Sequence, residues 1–508
     1  MYLFSAGMGI GLSGLQAAQN GINVTGHNIT NINTPGYSRQ RVNLQTGLAV
    51  RIDKLQFGLG VNVSQIQAIR DRFLDMQLTQ TISRQFGTKT RYEGLENISS
   101  VFTENGEYGL TIELQKFFQG FEELAARPEN DAVRANVLSR AQTLIAGLQS
   151  RYNLIQEKRD QANRSVASTA NEVNAIASQI AKLNQQIEAE VPKGSDNNAR
   201  DQRQALVDKL AELVGIQVYE DTQGMLTVTV ENGIPIVSGG SALTMVTTDV
   251  NSDGNFQVEI VIGNPWENPP GSGIFVPGEK IDVTDSIKGG ALGGMLDLRD
   301  NIYVEYMEKL DQLAAGIALQ VNQLHRTGVG LDGVTTGLDF FVATGGGNDP
   351  SGLPTGVDAT NHYKGMVSRM AVNDLLLYDP QLVASGDPAS PDAGPGNNEI
   401  ALQLAALQNA VNTVDANNSG VGNSGPFDVF ISSISNKIGN QTLNLQTTAN
   451  TDENIRASLE IQRDRLSAVD YDEEATNLIV FQRSYQACSR FISVIDQLTD
   501  QLINNFGR

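Results

Sequence analysis

Two stretches at opposite ends of the chain carry apolar residues at the spacing of a packed helix. The N-terminal stretch places them at Met8, Leu12, Leu15, Ile22 and Ile29. The C-terminal stretch places them, in alternating steps of three and four, at Leu478, Phe481, Tyr485, Cys488, Ile492, Ile495 and Leu502. Each pattern predicts a helix with one apolar seam, and such seams drive helix to pack on helix. Neither helix can bury its seam alone, so we expect the chain ends to pair and then to assemble with neighbouring copies.

The N-terminal helical pattern covers residues 5–33 and ends at a strong turn signal. The turn reads Asn33-Thr34-Pro35-Gly36-Tyr37, in which proline and glycine both interrupt a helix. Residues 40–69 alternate apolar and polar side chains in places, which predicts an extended, strand-like stretch. A further helix is predicted over residues 71–100.

The longest regular pattern lies in the middle of the chain. Apolar residues follow a heptad spacing from Leu138 to Ile187, Asp131 can cap the start, and Pro192 and Gly194 mark the end. This predicts a helix over residues 131–191, which fits either a coiled coil or an ordinary helical bundle. A further helix is predicted over 202–214.

The pattern changes to short alternating segments over residues 215–290. Leu226, Val228 and Val230 alternate with threonines and are followed by the Asn232-Gly233 turn, which predicts a hairpin. More β-rich segments are predicted at 256–262 and 274–283. Helical period returns between 296 and 324, loops and a small β region are predicted for 326–398, and helices follow at 399–413 and 428–505. A break is expected at Asp470, which with Glu473 resembles a capping box.

A chain of 508 residues is too long for a single core. The order of the elements predicts an α+β multidomain fold with a terminal α-helical coiled-coil domain, an elongated helical bundle core and β-rich inserted outer domains. The predicted domains are a terminal helical domain (1–70 with 470–508), a long-helix core (71–219 with 290–325 and 399–469), a β-rich outer domain (220–289) and a loop- and β-rich outer region (326–398).

The net charge of −21 argues against a nucleic-acid partner, since nothing forms a basic stripe. The charge is uneven along the chain. Residues 1–70 hold five basic residues and one acidic residue, whereas residues 470–508 hold six acidic and three basic ones. Opposite signs favour association of the two ends, although single surface ion pairs contribute little.

Motifs of small-molecule chemistry are present only in fragments. Residues 9–14 match the dinucleotide pattern G-x-G-x-x-G, but no strand precedes them and the first acidic residue is Asp53. Glycines that let two helices approach closely explain the match better. The histidines lie far apart, at 27, 325 and 362, and the single cysteine lies on the C-terminal seam. We therefore expect no catalytic, cofactor or metal site, and no enzyme.

The chain shows no ordinary secretion signal. No Lys or Arg precedes Arg39, and glycines interrupt the apolar residues of the N-terminus. No run is long and apolar enough to span a bilayer, so no membrane insertion is expected.

Both ends resemble the bacterial flagellar rod, hook and hook-associated proteins. At the N-terminus the resemblance rests on residues 15–19 (LQAAQ), 24–29 (VTGHNI) and 31–40 (NINTPGYSRQ). At the C-terminus it rests on residues 472–479 (DEEATNLI), 481–482 (FQ), 485–487 (YQA) and 490–492 (RFI). Within this family, two internal stretches, residues 201–215 and 289–341, are similar to the hook–filament junction proteins. Residues 220–285 and 342–398 match little, as is typical of exposed, variable domains.

The resemblance implies a structural part of the flagellum and no enzymatic activity. It implies export through the flagellar type III apparatus without a cleavable signal peptide, an extracellular location, and an export chaperone that binds the C-terminal helix. It also implies a ring of subunits, with hook protein on one side and a second junction protein on the other. Terminal helices of this kind are marginal alone and gain stability when their seams are buried on assembly.

The predicted assembly interface combines both seams with the turn between them. Its residues are Leu12, Leu15, Ile22, Ile29, Asn33, Pro35, Gly36, Tyr37, Leu478, Phe481, Tyr485, Cys488, Ile492, Ile495 and Leu502. Two alternatives stay open at this point: another flagellar axial protein of the hook or filament type, and a secreted adhesin with a helical stalk.

Overall fold

The structure, a computed structural model, describes most of the chain. The described residues are 2–52, 55–102, 109–190, 196–222, 224–249, 254–262, 279–343, 364–391, 394–410, 412–413 and 424–506.

Helices dominate the described residues. They are α1 (Tyr2–Thr30), α2 (Arg72–Ser99), α3 (Leu110–Ala126), α4 (Asp131–Glu190), α5 (Asn197–Leu213), α6 (Gly290–Asp297), α7 (Tyr303–Thr327), α8 (Met366–Arg369), α9 (Asp374–Tyr378), α10 (Glu399–Ala406), α11 (Phe427–Ser467) and α12 (Tyr471–Phe506). A π-helical segment, Leu298–Ile302, joins α6 to α7, and 3-10 turns lie at Ser100–Phe102, Thr284–Ser286, Pro380–Leu382 and Leu407–Asn409.

The strands are short and pair antiparallel. They are β1 (Gln40–Thr46), β2 (Ala49–Ile52), β3 (Leu55–Gly58), β4 (Val61–Ala68), β5 (Ile216–Glu220), β6 (Leu226–Val230), β7 (Pro235–Ser238), β8 (Ser241–Ala242), β9 (Thr244–Asp249), β10 (Phe256–Ile262), β11 (Glu279–Asp282), β12 (Phe341–Ala343), β13 (Met370–Val372), β14 (Asn412–Thr413) and β15 (Ser424–Gly425). The larger sheets have the orders β5-β6-β7-β8 and β11-β10-β9, and the remaining pairs are β1-β4, β2-β3, β12-β13 and β14-β15.

Several predicted elements are confirmed. The predicted central helix is α4, and the hairpin at Asn232-Gly233 is the β6–β7 connection, where Gly233 has a φ of 85°. The predicted break at Asp470 separates α11 from α12. Asp470 Oδ1 accepts hydrogen bonds from the backbone N–H groups of Asp472 (2.9 Å) and Glu473 (3.2 Å), so it caps α12. The Glu473 carboxylate, however, binds Arg39.

Other elements differ from the prediction. Residues 110–126, for which the sequence pattern predicts no element, form α3. Helix α5 begins before the predicted residue 202, because the Asp196 side chain caps it by accepting the Ala199 N–H at 3.1 Å. Helix α10 ends at Ala406, earlier than predicted, and turns into a 3-10 segment. Part of the predicted 274–283 β segment, residues 274–278, lies outside the described residues.

The chain divides into two compact units. Unit 1 comprises Met1–Gly87, Ala167–Gly293 and Asn450–Arg508, and unit 2 comprises Thr88–Val166 and Gly294–Ala449. The predicted α+β multidomain class is confirmed. The two units are a coarser division than the domains predicted from the sequence, which stay a prediction.

Unit 1 joins its sheets to helices by buried asparagines. Asn184 of α4 donates to the carbonyls of Leu226 (2.7 Å) and Gly239 (2.6 Å) and accepts the Leu226 N–H (3.1 Å). Asn174 of the same helix bonds both the N–H and the carbonyl of Met245 at 2.7 Å. These side chains pair backbone groups at strand ends that would otherwise be buried unsatisfied.

Unit 2 has a core of aromatic rings. Phe117 of α3 lies 5.1 to 5.9 Å, ring centre to ring centre, from Phe118, Phe121, Phe340 and Phe341, and all five are fully buried. Fully buried side chains at these separations give both hydrophobic and ring–ring stabilisation.

Polar groups within the unit 2 core are paired. Asn322 Oδ1 accepts the N–H groups of Phe340 and Phe341, both at 2.9 Å, and its amide donates to the Phe341 carbonyl. His325 is also fully engaged: Nδ1–H donates to the Leu338 carbonyl (2.7 Å) and Nε2 accepts the Ala384 N–H (3.0 Å). Burial lowers the pKa of His325 to about 4, so the imidazole is neutral.

Candidate interface formed by the two terminal helices

Helices α1 and α12 pack antiparallel along a face of small residues on α1. A Cβ atom added to Gly7 would lie 3.3 Å from Ile495 Cδ1, and one added to Gly14 would lie 2.8 Å from Cys488 Sγ. A Cβ on Gly21 would collide with the Phe481 ring. The contacts therefore repeat every seven residues: when the residue number on α1 rises by seven, the number of the facing residue on α12 falls by seven. The glycines let the two backbones approach closely enough for the large α12 side chains to fill the gap.

Gly11, part of the dinucleotide-like motif, has the same role. A Cβ there would lie 2.6 Å from Ile492 Cγ1. Gly9, by contrast, has no heavy atom within 4 Å of the added Cβ. The interpretation of the motif as helix-packing glycines therefore agrees with the geometry at Gly11 and Gly14 and not at Gly9.

The large apolar residues of the predicted α1 seam lie beside this small-residue face. Met8 and Leu12 keep 37% and 50% of their surface exposed, whereas Leu15, Ile22 and Ile29 are half-buried. Since glycines occupy the centre of the contact with α12, the bulky side chains flank it. The row of apolar residues identified from the sequence is therefore only partly covered within the chain.

The predicted α12 seam faces α1. Phe481, Cys488, Ile492 and Ile495 contact the glycine positions, and Leu478 and Tyr485, at the same helical spacing, are half-buried. Leu502 is 43% exposed.

Helix α12 carries a second apolar row, which lies beside the predicted seam and is not part of it. Val480, Phe491, Val494 and Leu498 recur on one flank of the helix and are 42% to 53% exposed. The opposite flank is polar and exposed, with Gln482, Gln486, Ser489 and Ser493. We call the first set the apolar flank of α12.

The predicted turn follows α1 as expected. Asn33, Pro35 and Gly36 are exposed, and Gly36 has a φ of 79°, a conformation that favours glycine. Tyr37 is half-buried and returns to α1. Its hydroxyl donates to Asn28 Oδ1 at 2.7 Å and lies 2.9 Å from His27 Nδ1. Burial, reinforced by the negative charges of Asp201 and Glu474, raises the pKa of Tyr37, so the hydroxyl keeps its proton.

Asn28 joins the turn to both terminal helices. Its amide donates to the Gln40 carbonyl (2.9 Å) and to Glu474 Oε2 (3.1 Å). Its Oδ1 also accepts the Gln40 N–H at 2.9 Å. Asn28 is 1% exposed, so these four bonds with Tyr37, Gln40 and Glu474 satisfy its polar atoms.

Arg39 completes the connection from the other side of Glu474. Its Nε donates to Glu474 Oε1 at 2.7 Å, and its terminal nitrogens reach Glu473 at 2.7 and 2.9 Å. The Glu474 side chain is 2% exposed, so it requires these partners. We call Asn28, Tyr37, Arg39 and Glu474 the terminal clamp.

Ser38 extends the clamp toward α5. Its N–H and hydroxyl donate to the Asp201 carboxylate at 2.9 and 2.8 Å, and Arg70 lies 3.5 Å from the same group. Burial raises the pKa of Asp201, although the Ser38 hydrogen bonds and Arg70 oppose the shift. The turn is therefore held rigidly while its tip stays exposed.

The residues that fix this arrangement were mostly absent from the predicted interface. A matching seven-residue spacing on the two helices was the signal in the sequence that could have predicted these contacts. On α1 it comprises the glycines at 7, 14 and 21 and Asn28, and on α12, in reverse order, residues 495, 488, 481 and 474. The bonds of Asn28 and Arg39 to Glu474 span more than 400 residues and have no local signature.

Candidate chemistry elsewhere is limited. In the described part of the chain, His, Cys, Asp and Glu side chains form no group of three suited to a metal ion. None of the helices in the described ranges combines the length and hydrophobicity of a membrane-spanning segment.

Three protein-family models match the chain. They are the flagellar hook-associated protein FlgK helical domain (residues 95–341), the flagellar basal body rod FlgEFG protein C-terminal family (464–505) and the flagella basal body rod protein family (8–37). The last two cover the terminal helices described above.

Full-length relatives and a solved structure agree with these matches. Flagellar hook-associated protein 1 of Escherichia coli K12 is 26% identical, covering 97% of this chain and 98% of the relative. The protein of that name from Bacillus subtilis 168 is 27% identical, covering 97% and 96%. The flagellar hook junction protein FlgK from Burkholderia pseudomallei shares the fold, with a TM-score of 0.61 and 16% identity over 76% of this chain and 99% of that one.

Matches at both ends, in the helical middle and along nearly the whole length define a class of protein. The chain is similar to the flagellar hook-associated proteins along nearly its whole length. Its function is that of a structural junction component of the bacterial flagellum, a role that involves self-assembly within the flagellar axial structure.

Proposed function

We propose that this chain joins hook to filament as a ring of copies that bury one another's terminal helices. The observation that carries the proposal is the exposed apolar surface left on the paired helices. Met8 and Leu12 on α1 and the apolar flank of α12 remain 37% to 53% exposed within the chain.

The exposed surface has the features of a protein interface. Phe491, Val494 and Leu498 are spaced three and four residues apart, so they form a continuous strip on one side of α12. Contiguous apolar patches of this kind mark interaction sites. Each square ångström buried contributes about 25 cal/mol, so neighbouring copies gain stability by covering the strip.

The terminal clamp gives this assembly a fixed geometry. It holds the end of α1 against the start of α12, while the turn tip at Asn33, Pro35 and Gly36 stays accessible to neighbours. A pair oriented in this way presents the same strip in every copy, which a closed ring requires. The predicted interface residues on the seams and the turn keep their proposed role in assembly.

The partners follow from the family and the resemblance of both ends. Hook protein binds on one side of the ring and a second junction protein on the other. An export chaperone binds the C-terminal helix before assembly, covering the apolar flank of α12. The chain is exported without a cleavable signal peptide, acts outside the cell, and has a structural rather than an enzymatic role.

The decisive experiment places a charge on the apolar flank of α12. Val494→Asp puts a carboxylate into the contact between copies, which costs several kcal/mol when left unpaired. We expect the variant to fold with normal circular dichroism and to be lost from isolated flagella, leaving cells with bare hooks. Ser493→Asp, its neighbour on the polar flank, is the matched control and should assemble.

Two results would contradict the proposal. Normal motility of Val494→Asp would show that copies do not bury this flank. Equal loss of both variants would show that charge anywhere on the helix is harmful, so the strip would have no special role. Limited proteolysis adds a second measurement, in which residues 1–35 and 475–508 should be cleaved in the free chain and protected in the flagellum.

A further inference from the structure

Unit 1 contains a cavity of about 550 Å³ between the start of α2, α5 and the edge of the β5–β6 hairpin. Its wall carries four arginines, Arg70, Arg72, Arg200 and Arg203, but only two acidic residues, Asp75 and Glu220. The wall therefore has a positive balance in a chain whose net charge is −21. We call it the arginine cavity.

The internal ion pairs leave this positive charge only partly compensated. Arg72, Arg200 and Arg203 all bind the single carboxylate of Glu220, at 3.0, 2.5 and 3.1 Å. Arg72 lies at the rim with its side chain 76% exposed. A further carboxylate at the rim would be attracted by this excess of guanidinium groups.

The cavity also offers apolar surface. Val207 and Leu226 form buried parts of its wall, and Phe73 and Met76 stand at the rim with 62% and 40% of their surface exposed. An occupant that combines an acidic group with a large apolar or aromatic side chain would fit this lining.

Helix α9 has that composition. Its residues Asp374 to Tyr378 are followed by Asp379, and Tyr378 and Leu375 are 93% and 54% exposed. Leu376 is fully buried, and the Asn373 side chain caps the helix at 3.1 Å from the Leu375 N–H. The backbone that carries the exposed side chains is thus preordered, which lowers the entropy lost on binding.

We propose that α9 of a second copy docks in the arginine cavity, with Tyr378 against the apolar wall and Asp374 near Arg72. The charge balance and the mixed lining match this occupant. The two surfaces are different parts of the chain, so the contact is head-to-tail and can close a ring. This inference rests on the proposed ring assembly and assigns it a contact outside the terminal helices.

Site-directed cross-linking in isolated hook–filament junctions tests the contact. Met76→Cys with Tyr378→Cys places one new thiol at the cavity and one on α9, while Cys488, which packs at Gly14, is left in place. The unchanged chain, whose single thiol is Cys488, is the first control and should give no cross-linked species. Under mild oxidation we expect dimers and larger species. The matched control combines Met76→Cys with Val334→Cys. Val334 is 81% exposed and lies in a loop outside α9, so this pair should give no cross-linked species.

A charge exchange provides an independent measurement. Arg72→Glu and Asp374→Arg should each lower the amount of the chain in flagella by about tenfold, because each brings like charges together. The double variant should recover most of the loss. In the Arg72 variant Glu220 loses one of its three partners but keeps Arg200 and Arg203, and the double variant leaves this internal change in place, so recovery by the double variant reports on the contact between copies.

The outcomes separate this contact from the ring itself. Two results would overturn α9 docking while leaving the ring of terminal helices in place. One is flagella that contain the double-cysteine chain without cross-links. The other is a double charge variant that assembles no better than the single variants. If the unchanged chain is itself missing from isolated hook–filament junctions, the proposed function fails as well.

Discussion

The terminal helix pair of unit 1 and the core of unit 2 are both helical, yet they use opposite kinds of side chain. At the α1–α12 contact, glycines bring the backbones together and large apolar residues remain half-exposed on the outside. In unit 2, phenylalanines fill the space and are fully buried. The core of unit 2 is therefore complete within the chain, whereas the terminal helix pair leaves apolar surface for a partner.

Half-exposed apolar side chains beside a glycine contact are therefore the feature that identifies an assembly surface here. We expect unit 2 to be stable without a partner, because its aromatic rings are buried and the polar groups beside them are paired. The terminal pair gains little from burying glycine against α12, so its free energy of folding depends more on what covers its flanks. Four predictions test this contrast, from the largest expected effect on the stability of the free chain to the smallest.

Phe117→Ala should have the largest effect. It removes a fully buried ring at the centre of the unit 2 cluster and leaves a cavity, which costs about 3–5 kcal/mol. Calorimetry should show a lower melting temperature for unit 2, while hydrogen exchange of α1 amides stays unchanged. Unchanged melting would show that the ring cluster does not determine the stability of unit 2.

Gly21→Ala should destabilise the terminal pair, because its Cβ collides with the Phe481 ring. Overpacking of this kind costs about 1–3 kcal/mol, more than alanine gains in helix propensity. Gly9→Ala, with no atom near the added Cβ, is the control and should stabilise α1 by up to about 1 kcal/mol. Hydrogen exchange of α1 amides should therefore rise in the first variant and fall in the second; shifts of the same sign would refute close packing at Gly21.

His325 should make unit 2 sensitive to acid. Its pKa is lowered to about 4 in the folded chain, from 6.5, so the unfolded chain binds more protons between these values. The stability that neutral His325 contributes is present above pH 6.5 and is lost as the pH falls toward 4, by roughly 1–3 kcal/mol.

The comparison with His325→Gln isolates this effect. Burial raises the pKa of Asp311 to about 6, but Asp311 titrates in both proteins and cancels from the difference. The free energies of unfolding of the two proteins should converge between pH 6.5 and 4. A difference that is constant over this range would contradict the assignment.

Leu12→Ser should have the smallest effect on the free chain and a large one on assembly. Leu12 is 50% exposed, so its loss should change the free energy of unfolding by less than about 0.5 kcal/mol. Flagella from cells with this variant should contain little of the chain, whereas Val334→Ser, at an exposed site in unit 2, should assemble normally. Normal incorporation of Leu12→Ser would remove α1 from the proposed interface.

The sequence was most informative where a pattern is local and periodic. The heptad spacing predicted α4, the Asn-Gly pair predicted the β6–β7 turn, and Asp470 marked the start of α12. Helix α3 went unassigned although Phe117, Phe118 and Phe121 lie in it. Three rings within five residues do not reveal by themselves which neighbours they will pack against.

The sequence alone predicts that the two ends are helices with apolar seams, that a turn follows the first, and which family their motifs resemble. The tertiary structure was needed to show that glycines rather than Leu12 and Leu15 face α12, and that Asn28 and Arg39 both bind Glu474. The physical reason is distance along the chain. Helical period is set by neighbours three or four residues away, whereas the choice of contacting face depends on a partner more than 400 residues distant.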